Sequence, residues 1–417
     1  MPNAGVSAGP GPIAVSPNGR YFIDQSGDPF FWLGDTQWEL CRSFALEDAR
    51  VILEDRRRKG FSVLQVMLTG VGDGTKPNVA GRTPWINDSP DTPDERYFAH
   101  VDAVVELARE SGLVVALGVY HQLHESRITA ANARRYARWV AGRYREAPHL
   151  VWSMYPRAEE GAVPVVRELA AGLQEGDGGR HLVTVHPDPS PASSSFLPYS
   201  DINEWLAFHS LQTWADTHLI VPMVTHDYRR EPAKPVVMAE GAYEAGSEYG
   251  FEVSPLWVRR QAYWAFFAGG HHSYGHNDLW RLLPHWRDAL DAPGARHMTI
   301  LREVLTARHE WWNLVPDSSL VGGEDPCATA ADPPARDPNL TVAARSSSWE
   351  WALVYLGDGG TACVDVGTLE PAGVLEASWI HPVTGEALEI GTVANTGGER
   401  FSAPADWEDA LLLLETH

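Results

Sequence analysis

The stretch KPVVMAEGAYE, residues 234–244, ends an apolar run on Glu240, so it reads as a buried β-strand that stops at a carboxylate. In barrels of alternating strands and helices, the chemistry is built at the carboxyl ends of the strands, which makes a strand-terminal Glu a candidate catalytic group. A salt-bridged Glu on the rim is the competing reading.

On either side of this strand the same pattern recurs. LEDARVILEDRRRKG (46–60) is an amphipathic helix with a glycine stop, and FSVLQVMLTG (61–70) resumes as an apolar strand. The alternation continues through LVVALGVY (113–120), HLVWSMY (149–155), HLVTVHP (181–187), WLAFHSLQT (205–213) and HHSYGH (271–276), with helical stretches between them. Strand ends near Gly34, Thr69, Tyr120, Tyr155, His186, Gln212, Glu240 and Gly275 bring the strand count to eight. Near-continuous apolar strands separated by amphipathic helices mean a parallel sheet covered on both faces, and eight of them predict an α/β (β/α)8 TIM barrel. Neither GxGxxG nor GxxxxGK[ST] follows the first strand, so a phosphate cradle is not signalled.

Ahead of the barrel, IAVSPNGRYFIDQSGDPFFWLGD (13–35) reads as short strands with NG and SGDP turns, a hairpin lid leading into the first strand. After Pro316 a Gly, Asp and Pro-rich linker (321–339) gives way to short alternating strands without helices, which predicts a small antiparallel β-sandwich. The expected division is a catalytic barrel over 13–315 and a sandwich over 316–417. Such an acidic chain, with a formal charge of −22, repels nucleic acids and anionic membranes and favours a neutral partner. Cys41, Cys327 and Cys363 lack CxxC spacing, so at most one bridge and no structural zinc site are expected. The N-terminus lacks the basic and apolar pattern of a signal peptide, and no run reaches the ~18 apolar residues of a membrane helix, which suggests a cytoplasmic protein. The pattern sets no oligomeric state.

Four motifs resemble one family. SPNGRYFIDQSGDPFFWLGDTQWEL (16–40), DRRRKGFSVLQ (55–65), KPVVMAEGAYE and YGHNDLW (274–280) are similar to the apiosidase-like glycoside hydrolases, also called the DUF4038 barrel. The tail, from LVPDSSLV (314–321) to WIHPVTGEA (379–387), resembles the β-sandwich domain with a collagen-binding label that commonly follows that barrel. The resemblance implies a TIM barrel that acts on glycosidic bonds, removing branched pentofuranosyl sugars with one carboxylate after strand four and a Glu after strand seven. Glu240 matches the second position. At the first, the family's W-x-x-GGDR-like segment is replaced by WSMYPR (152–157), with Pro156 where the Asp would stand.

Glycoside cleavage needs a proton donor and a second carboxylate acting as nucleophile or base. Glu240 is assigned nucleophile or base. Glu159 and Glu160, on the remodelled loop, are the candidate acids, with a solvated helix cap as their competing reading, and Asp188 and Asp278 are the alternatives. Asp35, at the end of strand one, is expected to face the barrel mouth, with a buried structural role as the alternative. Gln65, Tyr120, His121, Tyr155, His209, Gln212 and His276 fall at or near strand ends, where neutral hydrogen-bonding groups suit a polyol. Trp38, Trp85, Trp214 and Trp280 are placed to stack on sugar rings, while Trp311 and Trp312 seal the barrel against the tail. The histidine pairs in HQLH (121–124) and at 271–272 have no HExxH or facial-triad spacing, so no metal or other cofactor is expected. No GxSxG elbow is present, which argues against serine hydrolase chemistry. The expected function is therefore a glycosidase acting on a furanoside or disaccharide glycoside. The alternative is a carbohydrate-binding pseudoenzyme on the same barrel.

Overall fold

A computed structural model describes residues 11–197, 202–321, 341–369, 374–395 and 397–416. Eight parallel strands form its centre: β1 Leu33–Thr36, β2 Val63–Met67, β3 Val114–His121, β4 Leu150–Tyr155, β5 Val183–Val185, β6 His209–Trp214, β7 Val236–Gly241 and β8 His271–Tyr274. They are hydrogen-bonded in the order β5-β4-β3-β2-β1-β8-β7-β6, and a short antiparallel strand, Ala192–Ser193, adds a ninth beside β6. The sheet curls like a TIM barrel, bringing β5 next to β6, where the Ala207 amide donates to the Val183 carbonyl at 2.8 Å.

Helices α1 Leu46–Arg58, α2 Glu95–Glu110, α3 Ala133–Arg143, α4 Val163–Asp177, α5 Ile220–Tyr228, α6 Pro255–Phe267 and α7 Pro293–Thr306 cover the outer face. Each buries an apolar stripe on strand residues that point outward, such as Leu64, Leu117, Trp152 and Met238. Inward positions carry a second, smaller core of Trp32, Val63, Ala116, Val151, Val237 and Ala239. Phe22 of the N-terminal hairpin packs into the lower end of that core, 4.9 Å from the Trp32 ring and 5.1 Å from Phe208. The hairpin therefore plugs the amino ends of the strands and is not a lid over the carboxyl ends, because its apolar side chains complete the interior core.

In the tail, strands β9 Thr341–Arg345, β10 Trp351–Leu356, β12 Val374–Ile380, β13 Ala387–Ala394 and β15 Ala410–Thr416 pair with Val315–Pro316 as a six-stranded antiparallel sheet. Strands β11 Thr361–Asp365 and β14 Gly398–Ser402 form a separate ribbon, whose Ala362, Val364 and Phe401 pack against one face of the sheet. The opposite face packs on α6. There Asp409 accepts two bonds from the Arg259 guanidinium, at 2.6 and 2.7 Å, and Tyr355 donates to the same carboxylate. The rings of Tyr263 and Tyr355 stack at 4.5 Å beside this buried ion pair. Trp311 packs against Phe31 and the core shared with the tail, as its sequence position suggested. Cys41 is a buried free thiol and Cys363 is disulfide-bonded; Cys327 and most of the linker lie outside the described residues.

Candidate active site

The carboxyl ends of the strands surround a cavity of about 470 Å³ lined by Glu240, Asp188, His186, Tyr155, Tyr243 and Trp38 among others. Glu240 reaches it through a break in the strand register. Leu211 pairs with Met238 but Gln212 pairs with Glu240, so Ala239 is the extra residue of a bulge. Val237 and Ala239 already point inward, and strict alternation would turn Glu240 to the helices. The bulge re-aims the carboxylate into the mouth.

Three neighbours fix Glu240. Trp38 Nε1 donates to the Tyr243 hydroxyl at 2.8 Å, and that hydroxyl donates to the Glu240 carboxylate. The Trp214 indole is a second donor to it. Trp214 holds this position with a φ of +44°, a left-handed backbone that is costly for a side chain of this size and is retained where the surroundings enforce it. On the other side, His186 Nε2 lies 3.5 Å from Glu240 Oε2, with the His186 ring packed 4.6 Å from Tyr155.

Burial raises the Glu240 carboxyl to about 7, opposed by the Tyr243 and Trp214 hydrogen bonds and reinforced by the negative charge of Asp188. Burial likewise depresses His186 to about 3 and, with help from Arg157, His121 to about 4, so both imidazoles are neutral at physiological pH. Asp188 is the second carboxylate in the cavity. Gln212 Nε2 donates to its Oδ1 at 3.1 Å, and burial raises its carboxyl above the usual range. The Asp188 amide donates to the Pro156 carbonyl at 2.9 Å, so this acid stands beside the position where strand four lacks one. A third carboxylate, Glu248, pairs with Arg281 at 3.0 Å across the rim.

Glu240's shift has a consequence for stability. Its folded value, about 7, lies above the ordinary 4.5, so the stabilisation from the neutral form is complete below pH 4.5 and is lost as pH rises through about 7. Glu240→Gln, which cannot ionise, is expected to be more stable than wild type at pH 8 by about 2 to 3 kcal/mol. The difference should vanish by pH 4.5. Thermal melts of both proteins across that range check it, and equal melting temperatures at pH 8 would refute the burial of a charged Glu240.

Of the residues singled out from sequence, Glu240, Trp38, His121, Tyr155, Gln212 and Trp280 meet in the cavity, as do Asp188 and Trp214. Others lie elsewhere. Glu159 and Glu160 are exposed at the start of the loop before α4 and do not line this cavity, because the chain after Pro156 runs outward and away from the strand axis. Asp35 faces the helices, since Gly34 takes the inward position. It is buried against Arg56 of α1 at 3.0 Å, with Gln37 donating at 2.7 Å. Gln65 points inward below the site but spends its amide on Thr36 and the Ala239 carbonyl. A register shift between Gly118 and Tyr120 turns Tyr120 out of the cavity and His121 into it. His209 begins β6, at the far end of the sheet, and bonds Ser194 at 3.0 Å. His276 caps the short helix Asn277–Trp280 and, with Asp278, lines a different cleft. Trp85 is buried against His124 and Tyr136.

His186, Tyr243, Tyr249, Glu248 and Arg281 were not singled out. His186 was the most accessible of these to sequence reading, since it ends the fifth strand as Glu240 ends the seventh. Tyr243, three residues past Glu240, lies within the quoted motif. Among the described residues no cluster of three or more His, Cys, Asp or Glu side chains is placed to hold a metal ion, and no helix is long and apolar enough to cross a membrane.

Comparison with known proteins agrees with this geometry. A glycoside hydrolase family 5 structure from Bacteroides vulgatus superposes with a TM-score of 0.86 at 23% identity, covering 97% of this chain and 93% of its own. Another structure, named only as a glycoside hydrolase, gives 0.85 at 24% identity with 97% of each chain covered. A β-L-arabinopyranosidase from Geobacillus stearothermophilus is more distant, at 0.54 and 10% identity, covering 93% of this chain and 97% of its own. At these identities the likeness establishes the fold. No protein of curated function matches the chain. Residues 315–415 match the domain described as "Putative collagen-binding domain of a collagenase". Residues 16–313 match the family model "Apiosidase-like, catalytic domain", and the chain belongs to the apiosidase-like glycosidases.

Proposed function

We propose that the curled sheet works as a (β/α)8 glycosidase in which Glu240 is the nucleophile or base and Asp188 is the acid that strand four no longer supplies. The substrate class is a furanoside or disaccharide glycoside. One observation carries the reading: two carboxylates, Glu240 near the end of β7 and Asp188 after β5, share an aromatic-walled cavity, and the charge of Asp188 raises the proton affinity of Glu240. Such a pair can hold one proton between them, which is the division of labour that glycoside cleavage requires. The donors on Glu240 from Tyr243 and Trp214 favour its anion. Neutral His121 and His186, with Trp38 and Trp280, offer hydrogen bonds and flat faces to a polyol without attracting a charged one.

A panel of aryl furanosides, aryl pyranosides and plant disaccharide glycosides tests this. Phenol or sugar release is expected from one sugar series, and Glu240→Gln should lower it by roughly 1,000-fold or more. Catalysis needs the one proton the pair shares, so kcat/KM should fall as pH rises through about 7, where that proton is lost. A profile that keeps rising above that pH would mean that the two carboxylates do not share a catalytic proton. Sugar binding without turnover across the panel would replace the glycosidase with a binding protein.

A further inference from the structure

Beside the catalytic cavity lies another of about 400 Å³, lined by Tyr120, Glu125, Ala130, Arg157, Glu159 and Val165 among others. The two share a wall built by the remodelled tip of strand four and the end of β3. Tyr155 faces the first cavity and Arg157, two residues on, faces the second. In the same way His121 faces the first and Tyr120 the second. Arg157 also forms a β-bridge with Asp188, so the proposed acid stands at the boundary.

We infer that this second cavity holds the leaving-group sugar of the glycoside cut at Asp188 and Glu240. The inference rests on the glycosidase reading and adds where the other half of the substrate sits. A proton donor must face the leaving oxygen, so the leaving group lies on the Asp188 side of the scissile bond. On that side Asp188 is bridged to Arg157, whose side chain lines the second cavity. Its lining suits a sugar: carboxylates of Glu125 and Glu159 and the Arg157 guanidinium can engage hydroxyls, while Ile128, Ala130, Pro164 and Val165 offer an aliphatic wall. The Arg157 to Glu125 contact is long, at 3.4 Å, and both side chains are exposed, so a hydroxyl pair can enter between them at small cost. Its size is within the 300 to 1,000 Å³ range of ordinary ligand pockets, roughly enough for one or two sugar rings.

The test uses the full chain and two substrates of the sugar released in the panel: its 4-nitrophenyl glycoside, and the same sugar linked to a xylose or galactose. Ala130 is exposed at the cavity edge, and Ala130→Trp would fill the space. The ratio of kcat/KM for the sugar-linked substrate over the nitrophenyl one is expected to fall about 10-fold in Ala130→Trp. In Glu159→Ala, a change at an exposed side chain that the fold tolerates, it should fall by roughly 3-fold. Ratios at the wild-type value in both variants would overturn the inference while leaving the glycosidase intact. No release from either substrate by wild type would remove the glycosidase reading and this one together.

Discussion

Asp188→Asn is expected to slow hydrolysis of a phenyl glycoside about 1,000-fold while slowing the 4-nitrophenyl analogue far less, because a good leaving group needs little proton assistance. The family resemblance places an acid after strand four, where this chain has Pro156. Proline cannot donate a side-chain proton, so either catalysis has lost its acid or another residue supplies it. The structure offers one carboxylate in the right place. Asp188 extends from the neighbouring strand, its amide tied to the Pro156 carbonyl and its carboxylate held by Gln212 in the same cavity as Glu240. Burial raises its proton affinity, the direction a proton donor needs. Glu160→Gln is the control, since that side chain is exposed and lines neither cavity. A loss in Asp188→Asn that is equal for both leaving groups, or matched by Glu160→Gln, would show that Asp188 is not the acid.

What could be seen in the sequence follows from which physical rule governed each residue. The eight strands and their covering helices were legible because a sheet buried on both faces needs long apolar runs. Glu240 was legible because a charge ending such a run is conspicuous. The direction of individual side chains was less so. Alternation assigns a face to every second residue, but a single bulge reverses the assignment beyond it. Tyr120 and His121 exchanged faces in this way, and Glu240 entered the site by the same device. Asp35 was misplaced for a simpler reason: Gly34 holds the inward position but leaves no side chain to mark it. Glu159 and Glu160 lie on a loop whose course depends on packing distant in sequence, and local pattern carries little of that information. The hairpin at 13–35 has the turn chemistry expected of it, yet which end of the sheet it covers is decided by where Phe22 finds Trp32 and Phe208.

Acidification from pH 7 to 4 is expected to unfold the protein in a steep transition that takes up several protons. Nine described histidines are held by burial well below the ordinary 6.5: His121, His149, His209, His271, His276 and His297 at about 4, and His124, His186 and His272 at about 3. A depressed folded value means that the unfolded chain binds the proton first. The stability each group contributes is therefore present above pH 6.5 and is lost as pH falls towards its folded value, by up to about 1.4 kcal/mol per pH unit. Buried carboxyls act in the other direction. Asp35, Asp188, Asp227, Glu240 and Glu244 are all raised, so the native state keeps their protons longer and gains stability as pH falls. These groups offset part of the uptake by the nine histidines, leaving a net uptake of several protons, each worth up to about 1.4 kcal/mol per pH unit. Against a stability of about 5 to 15 kcal/mol, a fall of one to three pH units is enough to unfold the chain. Circular dichroism and melting temperature measured from pH 7.5 to 4 check this, with calorimetry giving the proton count. A melting temperature that holds steady between pH 7 and 5 would mean that these histidines are not buried in the neutral form, and that the interior described for β8 and its neighbours admits their charge.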